Sequence, residues 1–161
     1  MKLDHPLIRY HGGKFRLASW IISYFPSHET YVEPFGGGAS VLLSKSPSRM
    51  EVYNDLDQDI VNFFEVLRDQ TLAEKLAFQV ELTPYSRSEF LNARAETNDR
   101  IEQARRLVVR AQMGFGSAGA TKGNTGFRLD TARGGSDIVT IWQRQPEVIR
   151  QAAARLKKVL I

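Results

Sequence analysis

The sequence predicts an α/β fold built on a parallel sheet, and three observations support this prediction. Segments with apolar residues at helical spacing alternate with short β-rich segments over residues 1–83. A glycine run at residues 36–38 directly follows one β-rich segment. A second β-rich segment leads into a helix with an acidic first turn. Such alternation of strands and helices is typical of parallel α/β sheets.

The elements of the first half follow from residue type and spacing. Residues 16–25 (RLASWIISYF) show helical spacing, and Pro26 ends this helix because proline cannot continue it. Strands are predicted at residues 30–35 and 51–54, and helices at residues 39–45 and 57–67. The predicted order is therefore helix, strand, glycine turn, helix, strand, helix.

The second half of the chain has a different character. Residues 86–96 and 99–113 predict helices, and the second of these is rich in arginine. Residues 114–136 are polar and glycine-rich, and a loop of this length inside a compact domain is usually functional or disordered. Two further elements are expected at the end: a helix at residues 137–156 that is broken at Pro146, and the start of a strand at residues 157–161.

Composition excludes several classes of protein. The chain has 161 residues and no cysteine, so disulfides, thiolate nucleophiles and cysteine-based zinc sites are absent. No apolar run is long enough to span a membrane, and the first residues lack the apolar core of a signal peptide. We therefore expect a cytoplasmic protein with no membrane partner.

Charge is distributed unevenly along the chain. Residues 1–83 carry 8 Lys/Arg and 11 Asp/Glu, whereas residues 84–161 carry 14 Lys/Arg and 7 Asp/Glu. An acidic first half joined to a basic second half suggests that the second half meets a polyanion such as nucleic acid. The alternative is a solvated helix surface that is rich in arginine.

The segment around the glycine run has the properties of a nucleoside-binding turn. A strand enters, the glycines let a ligand approach the main chain, and a helix leaves with its first amides free to meet negative groups. Asp55 follows the next strand, where a carboxylate can accept both hydroxyls of a ribose. The dinucleotide fingerprint fails at Val41, so S-adenosylmethionine fits better, with Glu33 near its ammonium group. A glycine-rich turn of an unrelated α/β protein remains the alternative.

A second glycine segment lies upstream, at residues 9–14 (RYHGGK). Two glycines and a lysine before a helix can form an anion-binding turn. The segment lacks the spacing and the hydroxyl residue of a P-loop. By itself it could equally be a basic turn that caps the first helix.

Taken together and in this order, RYHGGK, VEPFGGGASV and VYNDLD resemble the Dam-type DNA adenine-N6 methyltransferases common in phages and prophages. The resemblance runs along essentially the whole chain, including the glycine-rich stretch around residues 113–117. It implies a partial, Rossmann-like methyltransferase sheet that uses S-adenosylmethionine and needs no metal. It also implies a mostly helical DNA-recognition lobe, inserted after the second strand and its helix.

The resemblance also implies roles for particular residues. Tyr10 and Lys14 would flank the methionine part of the cofactor, and Asp55 would hold the ribose. The floor of the pocket would come from Glu33, Phe35, Gly36 and Gly38. Double-stranded DNA would be contacted by side chains of the glycine-rich segment, namely Lys122, Asn124, Arg128 and Arg133, since such side chains hold phosphates or read base edges.

The catalytic motif of that family, Asp-Pro-Pro-Tyr, is absent because no two prolines of this chain are adjacent. Thr83-Pro84-Tyr85 is a poor substitute with one proline and no carboxylate. We therefore assign no catalytic residue and expect a truncated chain that is inactive alone. The strand ending at Glu33 would then have a bare edge, which favours self-association or a complementary C-terminal segment.

The predicted organisation has three segments: cofactor binding at residues 1–83, DNA recognition at 84–145, and a return to the core at 146–161. A non-catalytic DNA-binding module derived from the family is the main alternative. An oxidoreductase fragment is disfavoured by Val41. A methyltransferase for RNA or small molecules is disfavoured by the resemblance in the second half.

Overall fold

The computed structural model describes residues 5–121, 123, 125–129 and 138–161. Its sheet has three parallel strands, β1 (Thr30–Glu33), β2 (Met50–Tyr53) and β3 (Val159–Leu160), with β2 in the centre. The register places Glu33 beside Tyr53, so both strands end at the same edge of the sheet. The α/β prediction is confirmed, and the chain end does begin a strand.

Seven α-helices occur among the described residues. They are α1 (Ala18–Ser23), α2 (Ser40–Ser44), α3 (Gln58–Arg68), α4 (Gln70–Leu82), α5 (Arg87–Asn92), α6 (Arg100–Met113) and α7 (Ile138–Leu156). Short 3₁₀ turns at Phe15–Leu17 and Ala118–Thr121 complete the order. Aspartates begin three of the long helices: Asp57, Asp69 and Asp99 each accept amide hydrogen bonds from the first turn that follows.

Two features differ from the sequence prediction. The patterns assigned no element to residues 70–82, where the structure has α4, because Asp69 ends one helix and caps the next without any linker. The predicted break at Pro146 was wrong, since α7 continues through this residue. Pro146 is buried, and α7 packs along α4, so burial of an apolar face offsets the missing amide hydrogen bond.

The core joins both halves of the chain. It contains aromatic side chains of the first half, such as Tyr53 and Phe64, and apolar side chains of α6 and α7, such as Leu107 and Leu156. Gln145 of α7 donates a hydrogen bond to the carbonyl of Leu7 at 2.6 Å, which ties the last helix to the N-terminal segment. The three predicted segments therefore share one core, and the functional boundaries between them stay a prediction.

The sheet has β1 at one edge, with no neighbour beyond it among the described residues. Val32 of this strand and Phe35 just after it are exposed. In the described part of the chain, no helix combines the length and apolarity that a bilayer crossing requires.

Candidate cofactor site and basic surface

The glycine run forms a tight turn between β1 and α2. Gly36 donates a hydrogen bond to the Asn54 carbonyl at 2.9 Å, which anchors the turn to the end of β2. Gly37 and Ala39 both have positive φ, 48° and 50°. A glycine adopts the left-handed conformation at position 37 without the steric penalty of a Cβ, and this conformation directs the chain from the strand into the helix.

Two tyrosine rings hold this turn from both sides. A Cβ on Gly36 would clash with the ring of Tyr53, and a Cβ on Gly37 would lie 2.8 Å from the ring of Tyr10. The Tyr53 hydroxyl donates a hydrogen bond to the Gly37 carbonyl at 2.8 Å. The glycines are therefore required by the packing of the protein itself, besides any ligand.

Asp55 is bound directly to the glycine turn. Its Oδ2 accepts a hydrogen bond from the Gly37 amide at 2.8 Å, and its Oδ1 accepts one from the Asp57 amide at 3.0 Å. A carboxylate has about four acceptor positions, so these two bonds leave capacity for hydroxyl donors. Asp55 thus fixes the turn and presents its carboxylate at the carboxyl end of β2.

Glu33 caps the short helix α2. Its Oε1 accepts hydrogen bonds from the Leu42 amide and the Tyr31 hydroxyl, both at 2.8 Å. Burial raises the pKa of the Glu33 carboxyl above its usual range, while these two bonds act in the opposite direction. The predicted contact of Glu33 with an ammonium group stays a prediction, and in the structure this side chain organises the turn.

A cavity of about 420 Å³ opens between the N-terminal glycine segment and the turn after β1. This volume lies within the range of roughly 300–1,000 Å³ typical of small-ligand sites. Its walls include six of the seven residues predicted to bind the cofactor: Tyr10, Lys14, Glu33, Phe35, Gly36 and Gly38. The seventh, Asp55, contacts the cavity wall through its hydrogen bond to Gly37.

The segment RYHGGK forms one wall of this cavity. Its turn closes through a hydrogen bond from the Gly13 amide to the Tyr10 carbonyl at 3.0 Å. Lys14 is exposed and donates to the Gly12 carbonyl. Burial raises the pKa of Tyr10, and the nearby charges of Asp55 and Asp57 add to that rise.

The arginines of α6 form ion pairs within the chain. All four form ion pairs with carboxylates: Arg100 with Glu65, Arg105 with Glu89 and Glu102, Arg106 with Glu102, and Arg110 with Asp59. Arg106 and Arg110 also donate to main-chain carbonyls of residues 93–96, which follow α5. The positive charge of this helix is thus compensated within the fold.

A different set of cations surrounds an aromatic cluster formed by Tyr85, Phe90 and Phe127. The ring of Phe127 lies 5.4 Å from that of Tyr85 and 5.9 Å from that of Phe90, measured between centroids. The guanidinium of Arg87 lies 5.3 Å from the Phe127 centroid. Burial raises the pKa of Tyr85, and the positive charges of Arg128 and Arg9 oppose that rise.

Arg128 is the one predicted DNA-binding residue whose position is described. Its amide donates to the Met113 carbonyl at 2.8 Å, and its carbonyl accepts from the Tyr85 hydroxyl at 2.9 Å. Its backbone is thus fixed against α6 and the aromatic cluster. The other three predicted residues, Lys122, Asn124 and Arg133, lie outside the described residues.

The segment Thr83-Pro84-Tyr85 has a structural role. The Thr83 carbonyl accepts a hydrogen bond from the indole of Trp142 at 2.8 Å, and Tyr85 packs against the same indole and Phe127. The segment thus joins the end of α4 to α7 and to Phe127, and its exclusion as a catalytic motif stays a prediction. Within the described part of the chain, no cluster of three or more potential ligand side chains could hold a metal ion.

Tyr53 is the site residue that the sequence analysis missed. Tyr53 and Asp55 are two positions apart, so they would lie on the same face if the strand continued, and both contact Gly37. This period-2 relation in VYNDLD was available in the sequence. The second large cavity, about 390 Å³ beside Arg94, Arg106 and Arg110, had no sequence signal, because its walls come from distant segments.

Comparison with known proteins identifies the family. The family described as "D12 class N6 adenine-specific DNA methyltransferase" matches residues 10–115, roughly two thirds of the chain. This match covers the cavity walls, the glycine turn, Asp55 and all of α6.

Individual relatives match a shorter part. The DNA adenine methylase of Haemophilus influenzae is 35% identical over 69 residues, which are 42% of this chain and 24% of that protein. The DNA adenine methylase of Escherichia coli K12 is 31% identical over 71 residues, 44% of this chain and 25% of that protein. The DNA N-6-adenine-methyltransferase of Escherichia phage P1 is 28% identical over 67 residues, 42% of this chain and 9% of that protein.

The aligned part thus spans about a quarter or less of these relatives' own length. The family match itself covers well over half of this chain. It includes RYHGGK from its second residue onward and the other two motifs in full. The chain belongs to the D12 class of N6 adenine-specific DNA methyltransferases.

Proposed function

We propose that this chain is the part of an S-adenosylmethionine-dependent DNA adenine-N6 methyltransferase that holds the cofactor and contacts DNA, and that it transfers no methyl group alone. The observation that carries this proposal is the convergence of RYHGGK, the glycine turn and Asp55 around one cavity. These pieces are far apart in the sequence. In this proposal the sheet is a partial, Rossmann-like methyltransferase sheet.

The cavity walls match the chemistry of S-adenosylmethionine. Phe35 is 81% exposed at the cavity and offers a ring against which a planar adenine can pack. The Asp55 carboxylate has acceptor capacity for ribose hydroxyls, and the exposed Lys14 ammonium can meet a carboxylate. When bound, the cofactor supplies the methyl group, and the residues of this chain hold and orient it.

Double-stranded DNA is the proposed partner of the second half. Among the described residues, neither Arg87 nor Arg128 forms an ion pair with a carboxylate, and Arg87 is exposed. Cations on a rigid aromatic support suit the phosphate backbone, which supplies most of the salt-dependent affinity. We propose that Lys122, Asn124 and Arg133 join Arg128 in this contact, and that residues 84–145 form the recognition lobe.

The proposal of inactivity rests on the catalytic motif. An adenine-N6 methyltransferase must extrude the base and hold it in a pocket beside the cofactor. In this family Asp-Pro-Pro-Tyr is expected to do this, and no such sequence occurs in the 161 residues. We propose that the edge of β1 without a neighbour among the described residues accepts a further strand, from a complementary segment or from a second copy.

A non-catalytic DNA-binding module is the second candidate, and the missing motif together with the Arg87–Phe127–Arg128 surface favours it. The two candidates differ in cofactor affinity. Binding to DNA that falls with salt, without any affinity for S-adenosylmethionine, would favour this second reading.

Calorimetric titration with S-adenosylmethionine tests the proposal. We expect the wild-type chain to bind and Asp55→Ala to lose binding, because the turn loses its anchor and the ribose its acceptor. Asp69→Ala is the matched control: it also removes a carboxylate that caps main-chain amides, but at the start of α4, away from the cavity. We expect this control to bind as the wild type does.

A folded wild-type chain that fails to bind S-adenosylmethionine would contradict the cofactor proposal. Equal losses in Asp55→Ala and Asp69→Ala would contradict the specific role of Asp55. Inactivity is tested with labelled cofactor and adenine-containing duplex DNA: methyl incorporation by the wild-type chain above the Asp55→Ala background would overturn it.

A further inference from the structure

Asp59 and Arg110 form a buried ion pair between α3 and α6. The carboxylate Oδ2 of Asp59 lies 3.0 Å from a guanidinium nitrogen of Arg110, and both side chains are about nine-tenths buried. The other carboxylate oxygen accepts a hydrogen bond from Gln103 at 2.7 Å. Burial lowers the pKa of Arg110, and Asp59 opposes this effect, so the pair is held together in an environment that penalises either charge alone.

The Asp59 side of this pair leads back to the glycine turn through consecutive short contacts. The Gly37 amide donates to Asp55, and the Asp57 amide donates to the other oxygen of Asp55. The Asp57 carboxylate in turn accepts from the Asp59 amide at 3.0 Å. Three aspartates at alternating positions of one short segment therefore connect the cavity wall at Gly37 to the ion pair.

The Arg110 side leads into the proposed recognition lobe. A guanidinium nitrogen donates to the Ala93 carbonyl at 2.8 Å, directly after α5, which carries Arg87. The Arg110 carbonyl accepts the Gly114 amide at 3.1 Å, and a Cβ on Gly119 would clash with this same carbonyl. Arg110 thus fixes both the end of α5 and the start of the segment that leads to Arg128.

We propose that Asp59 and Arg110 are positioning residues that couple cofactor binding to DNA binding. The inference rests on the proposed function and adds a route between its two sites. Cofactor that orders the glycine turn would fix Asp55 and Asp57, and through the ion pair the orientation of α5 and of residues 114–119. Coupling of this kind is reciprocal, so the cofactor tightens DNA binding by the factor by which DNA tightens cofactor binding.

The pair formed by Arg105 and Glu89 provides an internal comparison. It also joins α6 to a neighbouring helix, at 2.9 Å, with both side chains at least about three-quarters buried. It connects α5 and α6, and Arg105 also donates to the Thr83 hydroxyl at 3.1 Å. Neither residue contacts the segment from Asp55 to Asp59 in any described hydrogen bond. Disrupting either pair should lower the stability of the chain. Only disruption of the Asp59–Arg110 pair should remove the coupling between cofactor binding and DNA binding.

The test measures the affinity of the full chain for a fluorescein-labelled duplex, selected for binding from a random-sequence pool, with and without saturating S-adenosylmethionine. We expect the cofactor to tighten wild-type binding on the order of 10-fold. In Asp59→Asn this ratio should fall to within about twofold of unity. In Glu89→Gln it should remain at the wild-type value, although both variants should melt at a lower temperature.

Arg110→Lys is the second variant, because it keeps one cation but loses the forked donors that reach Asp59 and Ala93 together. In this variant, the ratio of duplex affinities with and without cofactor should also fall to within about twofold of unity. The proposal is overturned if the affinity ratio of the wild-type chain is unity, or if the Asp59→Asn and Arg110→Lys variants both retain the wild-type ratio. It is also overturned if the ratio falls as far in Glu89→Gln as in Asp59→Asn. A wild-type chain that binds cofactor and duplex with a ratio of unity refutes the coupling alone, whereas failure of the cofactor titration refutes the proposed function itself.

Discussion

The glycine turn at residues 36–38 and the arginine-rich helix α6 are both prominent in the sequence, but the structure uses them in different ways. In the turn, residues from two motifs line one cavity, and Asp55 of the third motif contacts the cavity wall through Gly37. In α6, every arginine is paired with a carboxylate of the same chain. The spaced motifs therefore predicted which residues lie around one cavity, whereas a count of charges did not show which cations are paired within the fold.

The largest expected effect comes from filling the turn. Gly36→Ala would place a methyl group against the buried ring of Tyr53, and the ring cannot retreat from a packed core. We expect a loss of about 3 kcal/mol or more in the free energy of unfolding, and no cofactor binding. Gly126→Ala is the control, because a Cβ there would meet nothing within 4 Å. Chemical denaturation measures both, and a stable Gly36→Ala variant would break the account of a preformed turn.

The second prediction concerns acid. Burial would raise the pKa of Glu51 in β2, but hydrogen bonds from Arg155 and Lys45 lower it from 4.5 to about 2. A lowered folded-state pKa means that the stabilisation is complete above pH 4.5 and is lost as the pH falls towards 2. We expect on the order of 3 kcal/mol to disappear across that window.

Denaturation curves between pH 2 and 7 measure this loss. Glu51→Gln should be less stable at neutral pH and should have a flatter profile below pH 4.5. An unchanged slope in Glu51→Gln would show that the acid sensitivity lies elsewhere.

A smaller effect should follow from removing one hydroxyl. Tyr53→Phe keeps the ring beside Gly36 but leaves the buried Gly37 carbonyl without its donor. We expect a loss of about 1–2 kcal/mol in stability, and a cofactor affinity reduced several-fold. Tyr24→Phe is the control because Tyr24 is exposed. Equal cofactor affinity in wild type and Tyr53→Phe would remove Tyr53 from the site.

The smallest expected effect separates the two kinds of arginine. Arg128→Ala should reduce the slope of log affinity against log salt for duplex DNA by about 1. Arg100→Ala removes the same charge from α6, where Arg100 is paired with Glu65, and should leave the slope unchanged. Fluorescence anisotropy at several salt concentrations measures both. A lower slope in Arg100→Ala alone would reverse the assignment of the DNA-facing surface.

The sequence predicted the parts of the fold that depend on local patterns. The strands, the glycine turn and the position of Asp55 follow from spacing within about twenty residues, and the structure has them at nearly the predicted bounds. Helix α4 was missed because no linker separates it from α3. A helix was predicted at residues 137–156, but its continuity through Pro146 was missed because the packing of α7 against α4 overrides the local rule.

The pairing of charges could not be predicted from the sequence for a related reason. Arg110 and Asp59 are 51 positions apart, and Arg155 and Glu51 are 104 apart. Nothing in the composition of α6 distinguishes Arg110, which is buried, from Arg100, which is exposed. The packing of α3 and α5 against α6, together with pairs inside α6, decides which carboxylate compensates each cation.

The central claim is that S-adenosylmethionine binds at the glycine turn, and heteronuclear NMR with cofactor titration tests it most directly. We predict shifts in the amide signals of Tyr10, Gly37 and Asp55, with larger changes there than in the cavity beside Arg94 and Arg106. Shifts confined to that second cavity, or a folded chain whose spectrum does not change at saturating cofactor, would contradict the account.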